Sequence, residues 1–424
     1  MKKFIKNIIG AVLALSMTVS FAGCGEIFGA ISGSTGSTGN STVGDTGSST
    51  GSGNSSTGGN TGSSTGGNTG SSTGANTGST GGNTGSGNSS TGGSGDSEIP
   101  DDGVITSDLL SIHFLELGNK YTGDCTYIKA GDTDILIDAG SRKDSATTIT
   151  NYVNKYCTDG TLEYVIATHA HQDHIAGFVG SNNQGIFDVY RIGTLIDFPR
   201  EGVSSQIYDN YQTKRSNIIA KGTKHYTALE WWKEEKGLTK SIEIADGITM
   251  NVLYQKYYET NTSNENDYSV CVMFSQGENH YLFTGDLEKS GEESLVASNN
   301  LPKVKLYKAG HHGSKTSSNT SLMSVIQPEI VCVCCCAGSS EFNAAPLNTF
   351  PTQDFINRVA PYTDKIYVTS LSVSYSGNQT VSMNGNITVS SLGKEVTVTC
   401  SNNNTILKET EWFKANRTWP TNGV

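Results

Sequence analysis

From residue 109 onward, short apolar runs alternate with polar stretches, and their period switches between two residues and about four. Ser111-Ile-His-Phe-Leu-Glu-Leu117 alternates in the manner of a strand with one buried face. Further strands are expected over 125–129, 134–138, 163–168, 191–196, 249–254, 268–275, 281–284, 304–308, 330–335 and 365–369. Helical spacing runs over 145–156, 287–298, 317–326 and 352–359. Strands alternating with helices, some joined as adjacent hairpins, predict an α/β protein with mixed sheets covered by helices. After Tyr375 the chain turns polar and β-rich, which predicts a small terminal extension over 376–424 around a hairpin.

Composition divides what precedes this pattern. Residues 25–100 are dominated by Gly, Ser, Thr and Asn with near-repeats of NTGSSTGG, and 24 of the 50 glycines fall there. Such a stretch has no apolar surface to offset the entropy of ordering it, so a disordered tether is expected. Residues 1–24 carry Lys2, Lys3 and Lys6, then an apolar run from Ile8 to Ser20, then Ser20-Phe21-Ala22-Gly23-Cys24. That order predicts an export signal with a lipoprotein-type cleavage box and lipid attachment at Cys24, the tether serving as a spacer from the membrane. The resulting location is the outer face of the cytoplasmic membrane, or secretion if the lipid is not added. No later stretch is apolar enough to span a bilayer, so no transmembrane channel is expected.

The net charge is −11, and three lysines against four acidic residues up to Glu98 leave −10 for the remainder. An acidic body lacks the basic footprint usual in nucleic-acid binders, although bound divalent cations offset such charge locally. Cys332, Cys334, Cys335 and Cys336 lie inside an apolar run and have no paired CxxC elsewhere. A buried strand is expected there in preference to a structural zinc site.

The chemistry concentrates in Thr168-His-Ala-His-Gln-Asp-His174, which directly follows a predicted buried strand. Four imidazole or carboxylate groups in six residues are the donors that divalent zinc, manganese or iron favour. His169 and His171 on an extended loop can point at one metal. Asp173 and His174, where the chain turns into a helix, can reach a second. Three further elements end predicted strands: Asp138 in Ile-Asp-Ala-Gly, Asp286 in Phe-Thr-Gly-Asp, and His311-His312 in Lys308-Ala-Gly-His-His-Gly-Ser-Lys315.

In this order the motifs resemble the metallo-β-lactamase superfamily. The segments IHFLELGNKYTGDCTYI, ILIDAG, ATHAHQDHIAG, NDYSVCV, FTGDLE and LYKAGHHGSKTS resemble the hydrolase domain of competence-type (ComEC-like) proteins. The resemblance implies a four-layer αββα sandwich over 105–375, with one or two divalent metals, zinc foremost, held at one edge of the sheets. It implies His169 and His171 at the first metal, and Asp173, His174 and a histidine from His311/His312 at the second. Asp286 then bridges the metals and Asp138 braces the histidine loop. It also implies a metal-bound hydroxide as nucleophile, with Asp173, Asp286 and His312 at the catalytic centre. Asn266 and Ser269 are expected as a polar pair facing the site. Ser314, Lys315 and Thr316 are expected to open a helix whose amides could hold an anion.

Two departures from the family pattern stand out. The only histidines between the HxHxDH motif and Asp286 are His225 and His280, in contexts that suit surface residues, which leaves the first metal short of a ligand. Phe350 stands where relatives place a histidine, after Asn343. The function expected is an exported metal-dependent phosphodiesterase, nuclease-like, acting on DNA, RNA or a small phosphodiester. The alternatives are hydrolysis of another ester, lactone or amide, such as a phosphocholine ester, and a catalytically inactive surface binding module.

Overall fold

The computed structural model describes residues 109–200, 202–342, 345–375 and 379–424. The expected signal segment with Cys24, the tether and Asn343 lie outside the described residues.

The chain first lays down six strands of one sheet: β1 (Leu109–Phe114), β2 (Thr126–Ala130), β3 (Thr133–Ile137), β4 (Thr161–Ile166), β5 (Arg191–Asp197) and β6 (Lys224–Thr227). Eight strands of a second sheet follow: β7 (Ser241–Ala245), β8 (Ile248–Leu253), β9 (Cys271–Gln276), β10 (Asn279–Phe283), β11 (Leu306–Lys308), β12 (Ile330–Ala337), β13 (Ile366–Ser372) and β14 (Thr380–Ser382). The chain then returns to the first sheet with β15 (Ile387–Leu392) and β16 (Glu395–Cys400). The strand orders are β16-β15-β1-β2-β3-β4-β5-β6 and β14-β13-β12-β11-β10-β9-β8-β7. Each sheet is antiparallel through its early hairpins, turns parallel from β3 to β6 or from β10 to β13, and carries antiparallel strands beyond β1 or β13.

The facing sides of the sheets share one core, in which Phe114 stacks on Phe283 and β12 contributes Cys332 and Cys334. The helices Ser145–Val153, Gln172–Val179 and Gln206–Ala220 cover the first sheet through Ile149, Ile175, Phe178, Tyr208 and Tyr211. The helices Lys289–Ser298, Thr320–Ile326 and Gln353–Val359 cover the second through Leu295, Leu322, Met323, Phe355 and Ile356. The fold is therefore the expected four-layer αββα sandwich. All eight residues of β12, its four cysteines included, are buried as a strand interior.

The segment expected as a small terminal extension enters the sandwich itself. Its hairpin pairs with β1 along the whole strand, from Leu109↔Leu392 to Phe114↔Ile387, and adds Ile387 and Val389 to the core. Among the described residues, no helix is long and apolar enough to cross a membrane.

Candidate metal centre

The expected ligands converge because each follows the carboxyl end of a parallel strand, where loops of neighbouring strands emerge side by side. Asp138 follows β3, the histidine cluster follows β4, Asp286 follows β10 and His311-His312 follow β11. Small residues let these loops touch. A Cβ on Gly140 would lie 1.9 Å from the Asp173 carbonyl oxygen, and one on Gly285 would lie 2.8 Å from Ser269 Oγ. Asp138, His311 and His312 hold left-handed backbone, with φ of 57°, 46° and 54°. For non-glycine residues such geometry concentrates at functional sites.

The Asp286 carboxylate is the focus of the cluster. Its Oδ2 lies 3.1 Å from His174 Nε2, 3.3 Å from His312 Nε2, and 4.0 Å from Nε2 of both His169 and His311. Asp173 Oδ2 is 3.2 Å from His312 Nε2. His169 Nε2 is 3.1 Å from His171 Nδ1. Asp286, His169, His174 and His312 are buried, whereas His171 and His311 are partly exposed. The structure thus gathers all seven of these side chains.

The far edges of the rings are tied down. Asp138 accepts from Thr168 N at 2.8 Å and Thr168 Oγ1 at 2.7 Å, and its Oδ2 is 2.8 Å from His174 Nδ1. The Cys334 carbonyl is 2.9 Å from His312 Nδ1. Both acceptors require the ring proton at Nδ1, so the Nε2 lone pairs of His174 and His312 face carboxylate oxygens. Lone pairs at 3.1–3.3 Å repel unless a metal cation, or a second proton on the ring, lies between them. Asp286 Oδ1 is also buried without a hydrogen-bond partner. A divalent cation fits this donor set. Potential donor atoms of Asp124, His174, Asp286 and His312 all lie within 4.8 Å of one another.

Electrostatics agree with a cation-binding centre. Burial opposes ionisation of Asp286, but His174, His312 and His311 hold its carboxyl well below the usual range. Burial opposes charging of His174 and His312 as well, and Asp286, together with Asp138 for one ring and Asp124 for the other, raises both. Burial and the neighbouring His174 and His171 rings depress His169. Burial raises Asp138, an effect its hydrogen bonds from His174 and Thr168 oppose.

Other expected residues sit differently. Ser269 is fully buried behind the centre, accepting from Asp286 N at 3.0 Å, while Asn266 donates to Glu288 Oε1 at 3.2 Å and lies 3.5 Å from His311 Nδ1. Ser314, Lys315 and Thr316 do not open a helix, because that helix begins at Thr320. Their loop is held from within the protein: Glu292 accepts from Ser318 N and Asn319 N, and Arg358 donates to the carbonyls of Lys315, Ser317 and Ser318. An internal carboxylate therefore already occupies the amides at the true helix start. His225 lies 3.4 Å from Asp197, and His280 lies 2.8 Å from Ser275 Oγ. Phe350 packs against both His311 and His312, with ring centres 5.8 and 5.9 Å apart.

Two residues with no role assigned from sequence also belong to the centre. Asp124 Oδ1 is 3.2 Å from His312 Nδ1, and Asp124 pairs with Lys308, whose Nζ is 4.0 Å from Asp286 Oδ1. Both stand in segments that resemble the family, Gly123-Asp124 and Leu306-Tyr-Lys308, but an isolated Asp after Gly or a lone Lys ending a strand carries no ligand signature of its own.

Sequence comparison with known proteins points the same way. A family model described as the metallo-β-lactamase superfamily matches residues 118–246. Recombination protein 2 of Haemophilus influenzae is 29% identical over 111 residues, 26% of this chain and 13% of that protein. Competence protein ComA of Neisseria gonorrhoeae is 26% identical over 248 residues, 58% of this chain and 29% of that protein. This chain thus spans less than a third of the length of either relative. The metallo-β-lactamase fold protein YhfI of Bacillus subtilis is 11% identical, with 65% of this chain and 99% of that one covered at a TM-score of 0.36. With the ordered motifs, the paired mixed sheets and a convergent His/Asp centre on one chain, residues 118–246 carry a metallo-β-lactamase superfamily domain, and the chain resembles competence-type, ComEC-like hydrolase domains.

Proposed function

We propose that this chain is a metal-dependent phosphodiesterase, nuclease-like in substrate class, working outside the cell membrane from a lipid anchor at Cys24. The observation that carries the hydrolytic reading is the focus of imidazoles on Asp286 Oδ2, with Asp173 alongside. His174, His312, Asp286 and Asp173 would hold a divalent ion, zinc foremost, and His169 and His171 beside Asp286 would supply donors to a second. An ion so held lowers the pKa of water toward neutrality and offsets phosphoryl charge. Asp138 and the Cys334 carbonyl keep the two buried rings in the tautomer that ligation needs. Partly exposed His311, its Nδ1 3.0 Å from Thr316 Oγ1, is with His171 open to an incoming substrate.

Phosphoester chemistry is supported by the competence-type resemblance, and the names of the relatives, recombination and competence, favour DNA among polymeric substrates. The acidic body, −11 over the whole chain, equally favours a small phosphodiester. The export and anchoring part of the reading rests on residues 1–24.

The test is hydrolysis of a chromogenic phosphodiester by the purified protein, after chelation and after return of zinc, manganese or iron. Turnover restored by metal and abolished in His312→Ala is expected. Turnover that ignores chelation, or cleavage of carboxylic esters and lactones but no phosphodiester, overturns the assignment.

A further inference from the structure

A buried lysine beside a cluster of metal ligands needs a physical reason. Lys308 ends β11 with only 3% of its surface exposed, and desolvating an ammonium costs several kcal/mol unless a partner compensates. Its partner is Asp124, itself 2% exposed, and Lys308 Nζ also donates to the Ala309 carbonyl at 3.0 Å. The pair could have been replaced by apolar side chains at little cost to folding, so stability alone does not account for it.

The position of Asp124 supplies the account. Its Oδ1 faces His312 Nδ1 at 3.2 Å, and its Oδ2 lies 3.8 Å from His174 Nδ1. Asp286 and Asp173 face the Nε2 edges of these rings, so Asp124 stands behind the imidazoles while the donor atoms point forward. It is fixed there by its backbone, since Asp124 N donates to the Asp173 carbonyl at 3.0 Å and Gly140 N donates to the Asp124 carbonyl at 2.7 Å. The same short segment thereby ties together the loops that carry Asp138, Asp173 and His174.

Resting on the metal-centre reading above, we propose that Asp124 and Lys308 form a positioning pair. Asp124 sets its carboxylate against the Nδ1 edge of His312, whose proton the Cys334 carbonyl accepts, and near the Nδ1 edge of His174. Lys308 holds Asp124 in place as an anion and faces the back of Asp286. Neither side chain ligates the metal; both act through the ligands and set how tightly it binds. Outer carboxylates of this kind tune metal affinity about 10–100-fold.

The experiment titrates zinc into the chelator-treated full chain against a chromophoric competitor, and cobalt(II) by its visible absorption. It uses wild type, Asp124→Asn, and the double variant Asp124→Leu with Lys308→Met. The double variant leaves no unpaired buried charge, so it reports even if the single variant fails to fold; thermal unfolding establishes which variants are folded. Folded variants are expected to bind zinc about 10–100-fold more weakly, with a cobalt spectrum at saturation that matches wild type. Wild-type affinity in a folded variant overturns the proposal, because the pair is then structural only. An altered cobalt spectrum at saturation overturns it too, because Asp124 is then a ligand. If wild type itself binds neither ion, the metal-centre reading falls first and this proposal with it.

Discussion

Replacing Asp286 by alanine separates what the centre does for function from what it does for folding. In the wild type the Asp286 side chain makes a single hydrogen-bonding contact, with His174, and leaves Oδ1 without a hydrogen-bond partner. Removing a buried charge usually strands its partner at a cost of several kcal/mol. Here the partners are imidazoles, which can give up a proton near neutral pH and so need not remain as stranded charges. The metal-free variant is therefore expected within about 1–2 kcal/mol of wild type in stability. Metal is where the two proteins part. An ion present at about 100 times its Kd adds about 2.7 kcal/mol to the folded state, which for a domain of this size is a rise of about 5 °C in Tm. Asp286→Ala should lose most of that rise, and turnover of the proposed phosphodiester substrate should fall at least about 100-fold. The assay is thermal unfolding of chelated protein with and without zinc, run beside the chromogenic assay. A metal-induced rise that survives the substitution refutes the reasoning. So does a metal-free variant that melts more than about 10 °C below wild type, since Asp286 would then be holding the fold.

Asp138→Asn should keep the fold, because its oxygen can still accept from Thr168 N, yet an amide NH₂ facing His174 Nδ1 favours the tautomer that blocks ligation. Zinc affinity about 10–100-fold weaker by competitive titration is expected, and wild-type affinity would count against the bracing role. Gly140→Ala places a Cβ 1.9 Å from the Asp173 carbonyl and 2.8 Å from Asp124 N. The loops must move apart, so a stability loss of about 1–3 kcal/mol in urea unfolding is expected together with weaker metal binding. Burial pushes Glu292 up to about 7 from its ordinary 4.5, so the folded protein retains its proton between those pH values. That contribution is complete below pH 4.5 and is lost as pH rises through 7, worth about 3 kcal/mol. Urea midpoints at pH 5 and pH 7.5 should therefore move Glu292→Gln upward relative to wild type as pH rises; parallel midpoints would contradict the assignment.

The centre was readable from sequence wherever ligands were contiguous or ended recognisable strands. Residues 168–174 and the loops at Asp138, Asp286 and His311-His312 met these conditions, and all of them converge. Asp124 and Lys308 did not, because their roles depend on what lies across the sheet from them. The helix Gln206–Ala220 was overlooked for a related reason: of its 15 residues only Tyr208, Tyr211 and Ile218 are buried, which leaves little apolar periodicity to detect. The anion site expected at Ser314 failed because Glu292, more than twenty residues upstream, already occupies the helix start. The terminal hairpin was visible as a hairpin, but its partner strand was not, since half-buried alternation does not encode which distant edge it will join.

That late pairing has a consequence for how the molecule comes into being. β1 is among the first parts of the domain to emerge from a ribosome, and the strand that covers its outer edge is among the last. Until residue 392 is available to meet residue 109, an apolar strand has open amides and carbonyls along one side, the situation that invites pairing between chains. The domain is thus closed by its own tail, and its assembly is a race between completing the chain and finding a neighbour. Ending the chain at Tyr375 would leave that edge open permanently, and aggregation would follow although every residue of the centre is still present.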